Sequence, residues 1–307
     1  MSFLSGIFGR RVRLPRDHVT RVPRAAKRKA ADALARMTQA IDDLGAMPGI
    51  ADIAAEKRVP RGFYDKVDEF VDAYDEYERV ASEHMGIAEL PRPGTPEGTD
   101  ACYAAPMGVS ALEALRIYRK VRTWPDFPQV AEALQAAGQQ QIEDIQALHT
   151  GRDPEKIPST SRAIGQGRRN FEARKIPCPL LDVDKGRCRV WDARPINCRM
   201  HRIDGDVALA DPAHPDHGKA RGKNIRLPIR QQAAVSALEK RMALQLNPML
   251  YAAVLQLGGL ADAELIQEVG EAPRRMGQDG RVAQKANRNV RHAKKFQKGK
   301  KGKKRKK

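Results

Sequence analysis

Three cysteines stand at an even spacing in one short segment of the chain. Nine residues separate Cys178 from Cys188 and again Cys188 from Cys198, and the only other cysteine among the 307 residues is Cys102. Thiolates are preferred ligands of zinc and of iron–sulfur clusters, and four of them complete a tetrahedral zinc site, a [2Fe–2S] cluster or a [4Fe–4S] cluster. The thiol count therefore predicts one metal centre held by all four cysteines.

The spacing of the cysteines does not determine which metal is bound or which residue is the fourth ligand. Structural zinc sites usually pair cysteines two to four residues apart, and this chain has no such pair. The long spacings slightly favour an iron–sulfur cluster, with [4Fe–4S] preferred, over Zn²⁺. His201 follows Cys198 in a Cys-x-x-His arrangement and is the alternative to Cys102 as fourth ligand. A weaker candidate for a second divalent-ion site is formed by His214, Asp216 and His217.

Arginines are frequent around these cysteines. Four thiolates around Zn²⁺ or around an oxidised 2+ cluster leave about two negative charges, and a buried charge needs cations or hydrogen-bond donors beside it. Arg194 and Arg199, which flank Cys198, are predicted to surround the centre in this way. The alternative for each cysteine is a purely structural role, because free thiols often pack as small apolar side chains.

The sequence pattern of the cysteine segment resembles that of a known protein family. Cys178-Pro-Leu-Leu, Cys188-Arg-Val-Trp191 and Arg194-Pro195-x-x-Cys198-Arg199 are together similar to the signature of the YkgJ-type cysteine-cluster proteins. Cys102, followed by Ser110-x-x-Glu113, resembles the upstream half of that signature. The resemblance covers about residues 100–203.

This resemblance implies zinc or iron chelation, and relatives such as flagellin lysine methylases carry the module with an iron–sulfur cluster. Typical members have a compact upstream C-x2-C-x2-CC cluster, of which this chain keeps only Cys102. A second metal site built from cysteines alone is therefore not expected. Metal binding follows from the resemblance, whereas methyl transfer does not.

Most of the remaining sequence predicts a mainly α-helical protein. Apolar residues recur every three or four positions in two N-terminal segments, which indicates two amphipathic helices. The first stripe consists of Ala30, Leu34, Met37, Ile41 and Leu44. The second consists of Phe63, Val67, Phe70, Tyr74 and Tyr77. Further helices are predicted after the capping box of Ser110 and Glu113, over about 128–148 and over about 228–246.

A small hairpin is predicted within the cysteine segment. Asp184-Lys185-Gly186 is typical of a turn, and Val190 and Trp191 suit an extended strand. The predicted architecture is thus a helical body with a small loop or hairpin cysteine knuckle. Its predicted divisions are a flexible N-terminus (1–20), a helical hairpin region (21–90), a linker (91–101), a cysteine-cluster module (102–227), C-terminal helices (228–272) and a lysine-rich tail (273–307).

The tail is a second functional candidate. Residues 274–307 carry +15 of the net charge of +18, which leaves +3 on the other 273 residues. Such a segment buries no core and is predicted to be disordered. It would bind RNA, DNA or another polyanion with little sequence preference, because its cations displace counterions from phosphates. The residues assigned to this contact are Lys294, Lys295, Lys298, Lys300, Lys301, Lys303, Lys304, Arg305, Lys306 and Lys307.

Common catalytic motifs are missing from the sequence. It contains no GxxxxGK[ST], HExxH or GxSxG pattern, and no GxGxxG that follows a predicted strand. No catalytic residue is therefore predicted, and an enzyme in which a cluster assists a redox or methyl-transfer reaction remains a third hypothesis.

No segment reaches the roughly 20 apolar residues of a membrane span. A cytoplasmic location is expected, where thiols stay reduced.

Overall fold

The structure is a computed structural model of the full chain. It describes residues 20–87, 102, 108–147, 160–200, 203–204, 206–210, 214–216, 221–247, 249–260 and 267–268. Within these ranges the protein is mostly helical, which confirms the predicted fold class at that level. The predicted linker (91–101), the tail (273–307) and His201 lie outside the described residues.

The N-terminal region is built on two long helices that pack against each other. Its elements are α1 (Arg24–Lys29), α2 (Ala31–Ala46), α3 (Ile53–Glu56), β1 (Arg58–Val59) and α4 (Phe63–Met85). The apolar stripes predicted from the sequence form the contact between α2 and α4, where Met37 and Leu44 lie buried against the α4 side. Burial of these stripes holds the helices together, because short helices gain most of their stability from tertiary packing.

The middle of the chain adds α5 (Ala111–Val121), α6 (Phe127–Gln146) and α7 (Thr160–Ala173). The predicted capping box opens α5, since the Ser110 hydroxyl accepts the Glu113 N–H and the Glu113 carboxylate accepts the Ser110 N–H. Helices α6 and α7 approach closely at Gly167, where an added Cβ would lie 2.6 Å from Cγ1 of Ile145. Only glycine fits at this crossing.

The cysteine segment contains a two-stranded antiparallel hairpin and one helical turn. They are β2 (Leu181–Asp182), β3 (Arg187–Cys188) and α8 (Ile196–Arg199), and Leu181 pairs with Cys188. The predicted turn is present, with Gly186 in the left-handed region at φ 56°. The prediction that Val190 and Trp191 form a strand is wrong. They lie in a turn after the hairpin, because the strands end where the chain bends back toward α8.

The C-terminal region returns to the helical body. Its elements are β4 (Ile203–Asp204), a 3-10 turn (Val207–Ala210), β5 (Arg221–Gly222), α9 (Ile229–Arg241), α10 (Leu250–Leu260) and β6 (Gln267–Glu268). Strand β4 pairs with β5 in antiparallel fashion, and β1 pairs with β6 in parallel fashion. Helix α9 packs on α2, and α10 packs on both α5 and α6.

Two polar contacts tie the body to the cysteine segment and the chain after it. The buried Tyr74 hydroxyl on α4 donates a 2.7 Å hydrogen bond to the carbonyl oxygen of Ile225. The buried guanidinium of Arg199 forms an ion pair with Asp75, also on α4. The ion pair fixes α8 against the long helix α4, and the hydrogen bond holds the later segment around Ile225 against the same helix. Among the helices in the described ranges, none is both long enough and apolar enough to span a membrane.

Candidate metal centre

All four cysteines line one small cavity of about 30 Å³. It lies between the hairpin, α8 and the start of α10, and it is closed mainly by apolar side chains. The other lining residues are Leu180, Val190, Trp191, Arg194, Pro195 and Leu250. Each thiol is free, without a disulfide. The fold thus brings Cys102 to the three cysteines that follow it by 76 or more residues in the sequence.

Tight turns present two of the sulfurs in the same way. The Leu181 N–H donates a 2.8 Å hydrogen bond to the Cys178 carbonyl, which closes a turn, and the Leu180 N–H points at the Cys178 sulfur. The Val190 N–H points likewise at the sulfur of Cys188. In both cases the amide two residues after the cysteine donates to its sulfur. Such amide donors stabilise the thiolate form over the thiol.

The other two cysteines come from different elements. Cys198 lies on α8, where its N–H donates a 2.9 Å hydrogen bond to the carbonyl of Pro195. Cys102 is joined to Cys178 through the backbone, since the Cys178 N–H donates a 2.7 Å hydrogen bond to the Cys102 carbonyl. This bond places the distant cysteine next to the hairpin that carries two of the others.

Cys188 is the thiol most readily ionised. The Cys102 thiol donates a hydrogen bond to the Cys188 sulfur, and this bond lowers the pKa of Cys188 to about 7 against the opposing effect of burial. The Val190 amide and the charges of Arg194 and Lys120 act in the same direction. The same hydrogen bond, together with burial and the neighbouring sulfurs, raises the pKa of Cys102. One proton is thus held between these two sulfurs.

The remaining two thiols stay protonated at neutral pH. Burial raises the pKa of Cys178 to about 12, although the Leu180 amide partly opposes it. Burial and the nearby sulfur of Cys178 also raise the pKa of Cys198, although Arg194 lowers it. Four sulfurs in so small a volume cannot all ionise unless a cation is added, because like charges at this separation repel strongly.

Arg194 is the predicted arginine that reaches the cavity. Its guanidinium carbon lies 3.4 Å from the centroid of the Trp191 ring, and its buried Nε has no hydrogen-bond partner within the described structure. Burial lowers the pKa of Arg194, with a further contribution from the positive charge of Arg199. The site therefore holds a cation whose hydrogen-bonding capacity is not used by the described protein groups.

Arg199, the other arginine predicted to surround the centre, contacts the loop around Arg194. Its side chain does not line the cavity; it pairs with Asp75 and donates to the backbone carbonyls of Asp192 and Arg194. It therefore braces the loop that carries Arg194. Arg189 lies farther out, where it binds Asp126 through both terminal nitrogens and stacks on Trp124.

Tyr251 is a site residue that the sequence did not indicate. Its hydroxyl is fully buried beside the Cys178 sulfur and makes no hydrogen bond of ordinary geometry to any described group. Burial raises its pKa well above the usual value, so the O–H keeps its proton as a donor. No motif marks this tyrosine, which is one residue of an apolar helix and becomes visible only when α10 is packed against the hairpin.

The four cysteine side chains do not point at one common position that a metal ion could occupy. Across the described ranges, no group of three or more His, Cys, Asp or Glu side chains is arranged to hold a metal ion.

Of the weaker candidate site for a second divalent ion, His214 and Asp216 are described and His217 is not. His214 Nδ1 accepts a 3.0 Å hydrogen bond from the Asp216 N–H, so this nitrogen is already engaged.

Comparisons with known protein families, with curated proteins and with solved structures find no match to this chain. The likeness to the YkgJ-type signature therefore rests on the motif residues alone.

Proposed function

We propose that Cys102, Cys178, Cys188 and Cys198 bind one metal centre, as in the YkgJ-type zinc- and iron-chelating proteins. The observation that carries the proposal is the common cavity of the four thiols, which are drawn from three separate parts of the chain. Cysteines with purely structural roles have no reason to gather, because each could be buried in any apolar region. The free thiols also suit the reducing cytoplasm, the location that we propose for the protein.

The groups around the sulfurs support the same conclusion. The amides of Leu180 and Val190 donate to two of them, the Tyr251 hydroxyl lies beside the Cys178 sulfur without good hydrogen-bond geometry, and Arg194 Nε has no partner within the described protein. A buried unpaired donor costs roughly 1–3 kcal/mol, which is recovered when a thiolate accepts its hydrogen bond. A metal bound to four thiolates carries the negative charge that such donors and a buried arginine stabilise.

The cavity volume favours a single zinc ion over a cluster. About 30 Å³ is room for roughly two water molecules, whereas a [4Fe–4S] core places eight atoms between its ligands. One ion would take the place of the thiol protons at these four sulfurs. The iron–sulfur cluster, to which the cysteine spacing pointed, needs more room than this cavity provides.

Anaerobic purification followed by metal analysis and a visible absorption spectrum tests the proposal. The expected result is a colourless protein with about one zinc per chain, lost in the variant in which all four cysteines are replaced by serine. A brown protein with about four irons and four sulfides would support a cluster at the same ligands. Protein without stoichiometric metal after anaerobic zinc addition would contradict the metal centre altogether.

The tail supports a second function, contact with RNA, DNA or another polyanion. The supporting observation is charge: 16 lysines and arginines against one acidic residue over 274–307. Binding of a single-stranded RNA probe is measured as a function of salt for the full chain and for a chain that ends at Pro273. The full chain is expected to bind with steep salt dependence and the shortened one weakly. Equal affinity and equal salt slope would remove this function from the tail.

A further inference from the structure

A second, larger cavity lies on the other side of the α8 segment. Its volume is about 260 Å³, and it opens between the start of α5, α7, α8 and α9. Cys198 faces the thiol cavity, whereas Ile196 and Met200 of the same short segment line the larger one. The volume is a little below the range of about 300–1,000 Å³ of most ligand pockets, so it suits a compact molecule.

The lining carries charges of both signs in equal number. Two carboxylates, Glu113 and Glu239, and two guanidinium groups, Arg168 and Arg226, border the cavity. Apolar side chains such as Phe70 complete its walls. A lining that is electrically neutral but strongly polar suits a ligand that is itself neutral overall and carries both charges, because each charge can then be paired without leaving an excess.

Glu113 accepts hydrogen bonds through both of its carboxylate oxygens, whereas Glu239 accepts through only one. Glu113 accepts hydrogen bonds from the N–H groups of Ser110 and Ile196 and from the Ser110 hydroxyl, at 2.5–2.8 Å. Glu239 accepts one, from the Ala111 N–H, through Oε1. Its Oε2 has no hydrogen-bond partner among the described residues and is free to accept from a ligand. Burial, with a smaller contribution from Glu113, raises the pKa of Glu239 to about 7.

The cation that complements Glu239 is Arg168. Its Nε donates a 2.7 Å hydrogen bond to Glu172, and its two terminal nitrogens make no hydrogen bond within the described part of the chain. A guanidinium edge of this kind binds a carboxylate in a fixed geometry. Glu239 and Arg168 come from helices α9 and α7, so the ligand would lie between two helices rather than on a loop.

We propose that this cavity binds a small zwitterion of amino-acid size, with its ammonium group on Glu239 and its carboxylate on Arg168. The side chain of the ligand lies among the apolar residues of the wall. The site stands on its own observations, so it does not depend on whether the cysteines bind a metal. If they do, the ligand lies across the α8 segment from the centre, which provides the substrate pocket that an enzyme would need.

The test is a screen of the common free L-amino acids, one at a time at roughly millimolar concentration, by saturation-transfer NMR on the full chain. At least one is expected to give a saturable signal, and its N-acetyl and its amide derivatives are expected to bind at least about ten-fold more weakly, because each lacks one charge. The screen is repeated on the variant without cysteines, so that failure of the metal centre and failure of this site are told apart.

Matched variants locate the site. Arg168→Gln and Glu239→Gln are expected to weaken binding at least about ten-fold, whereas Arg169→Gln and Lys240→Gln, the exposed neighbours on the same two helices, leave it within about two-fold. Glu239→Gln keeps an acceptor for the Ala111 N–H, so its fold should persist. The proposal is overturned if no amino acid binds, if the singly charged derivatives bind equally well, or if the neighbouring variants lose as much.

Proton release gives an independent signature. Near pH 7 Glu239 is partly protonated; the Ala111 N–H and Glu113 act on it, and Arg168 and Arg226 are the other charged groups that line the cavity. An ammonium group that binds there favours the carboxylate and drives off part of a proton. Calorimetry in two buffers of different ionisation enthalpy should show this release for the wild type and not for Glu239→Gln. Equal release from both proteins would place the ligand elsewhere.

Discussion

The two cavities that flank the α8 segment differ in size, in chemistry and in the way they handle charge. The thiol cavity has a volume of about 30 Å³; three of its four thiols keep their protons at neutral pH, and one buried arginine lies beside them. The larger cavity holds about 260 Å³ and balances two carboxylates against two guanidinium groups. In the first, these three thiols stay neutral until a metal ion displaces their protons; in the second, both signs of charge are already present.

This difference determines what each cavity can bind. A cluster of four buried thiols is stabilised when their protons are replaced by one metal ion, so it selects for positive charge at a single point. A site with opposite charges on two helices selects for a ligand that has both.

The largest expected effect is the pH dependence of zinc affinity. Above pH 7 three thiols, those of Cys102, Cys178 and Cys198, still hold their protons, and below it Cys188 does so too. Zinc must displace these protons, so its affinity should rise by about three decades per pH unit above pH 7 and about four below. Competition with a chelator of known affinity measures this slope, and a slope near one would contradict four-thiol ligation.

Replacement of single ligands comes next. Cys178→Ser and Cys198→Ser should each reduce zinc affinity by more than about 100-fold, because an alcohol does not ionise near neutral pH and the remaining thiolates leave the ion incompletely bound. His214→Asn serves as the control and should change the affinity by less than about two-fold, since this residue does not line the cavity. Zinc titrations of the apo-proteins compare them. A loss in His214→Asn equal to that in the cysteine variants would place the metal elsewhere.

Glu239 should make stability depend on pH in one direction. Its pKa of about 7 lies above the ordinary value of 4.5, so between these values the unfolded chain loses the proton first and the free energy of unfolding falls as pH rises. Since the carboxyl is partly exposed, we expect this loss to be about 1–2 kcal/mol between pH 5 and pH 8, and to disappear in Glu239→Gln.

Urea denaturation at the two pH values measures the difference. Glu132→Gln, which removes an exposed carboxylate from α6, is the control and should keep the wild-type pH dependence. If both variants follow the wild type, Glu239 titrates as an ordinary surface carboxyl and the larger cavity lacks the polarised environment described for it.

Tyr251→Phe should change the free energy of unfolding least, but the sign of the change should differ between the metal-free and the zinc-bound protein. Without metal, the variant should be more stable by up to about 1 kcal/mol, because the buried hydroxyl that is removed contacts the Cys178 sulfur without good hydrogen-bond geometry. With zinc, it should be less stable by about the same amount, because a thiolate loses its donor. Tyr74→Phe, whose hydroxyl bonds Ile225 in either state, should be destabilised with and without zinc. Denaturation with chelator and with zinc shows whether the sign for Tyr251→Phe reverses.

Much of the helical body follows from local sequence. The stripes over α2 and α4 and the cap of Ser110 and Glu113 are periodic or short-range signals, and their helices lie close to the predicted bounds. The hairpin turn was also predicted, but its strands lie earlier in the chain than Val190 because turn residues locate a bend without fixing how long the strands extend. The thiol count predicted that the cysteines meet; their role as ligands stays a prediction.

The remaining site residues have no local signal. Tyr251 lies in an apolar helix like any core tyrosine. Arg168 and Glu239 are ordinary charged residues on two helices, and 71 positions separate them in the sequence. Their significance comes from tertiary packing, which brings α7, α9 and α10 around the hairpin and α8. Sequence patterns describe what one element presents, whereas a cavity is defined by what several elements leave between them.

The hydrogen bond from the Cys178 N–H to the Cys102 carbonyl has a consequence for the unfolded chain. It joins positions 76 residues apart, and a metal ion bound to both cysteines would close the same loop with coordinate bonds. By analogy with disulfides, a cross-link over that length lowers the conformational entropy of the unfolded state by an amount worth about 4 kcal/mol. A protein of ordinary marginal stability would then owe a large part of its resistance to unfolding and proteolysis to its metal content.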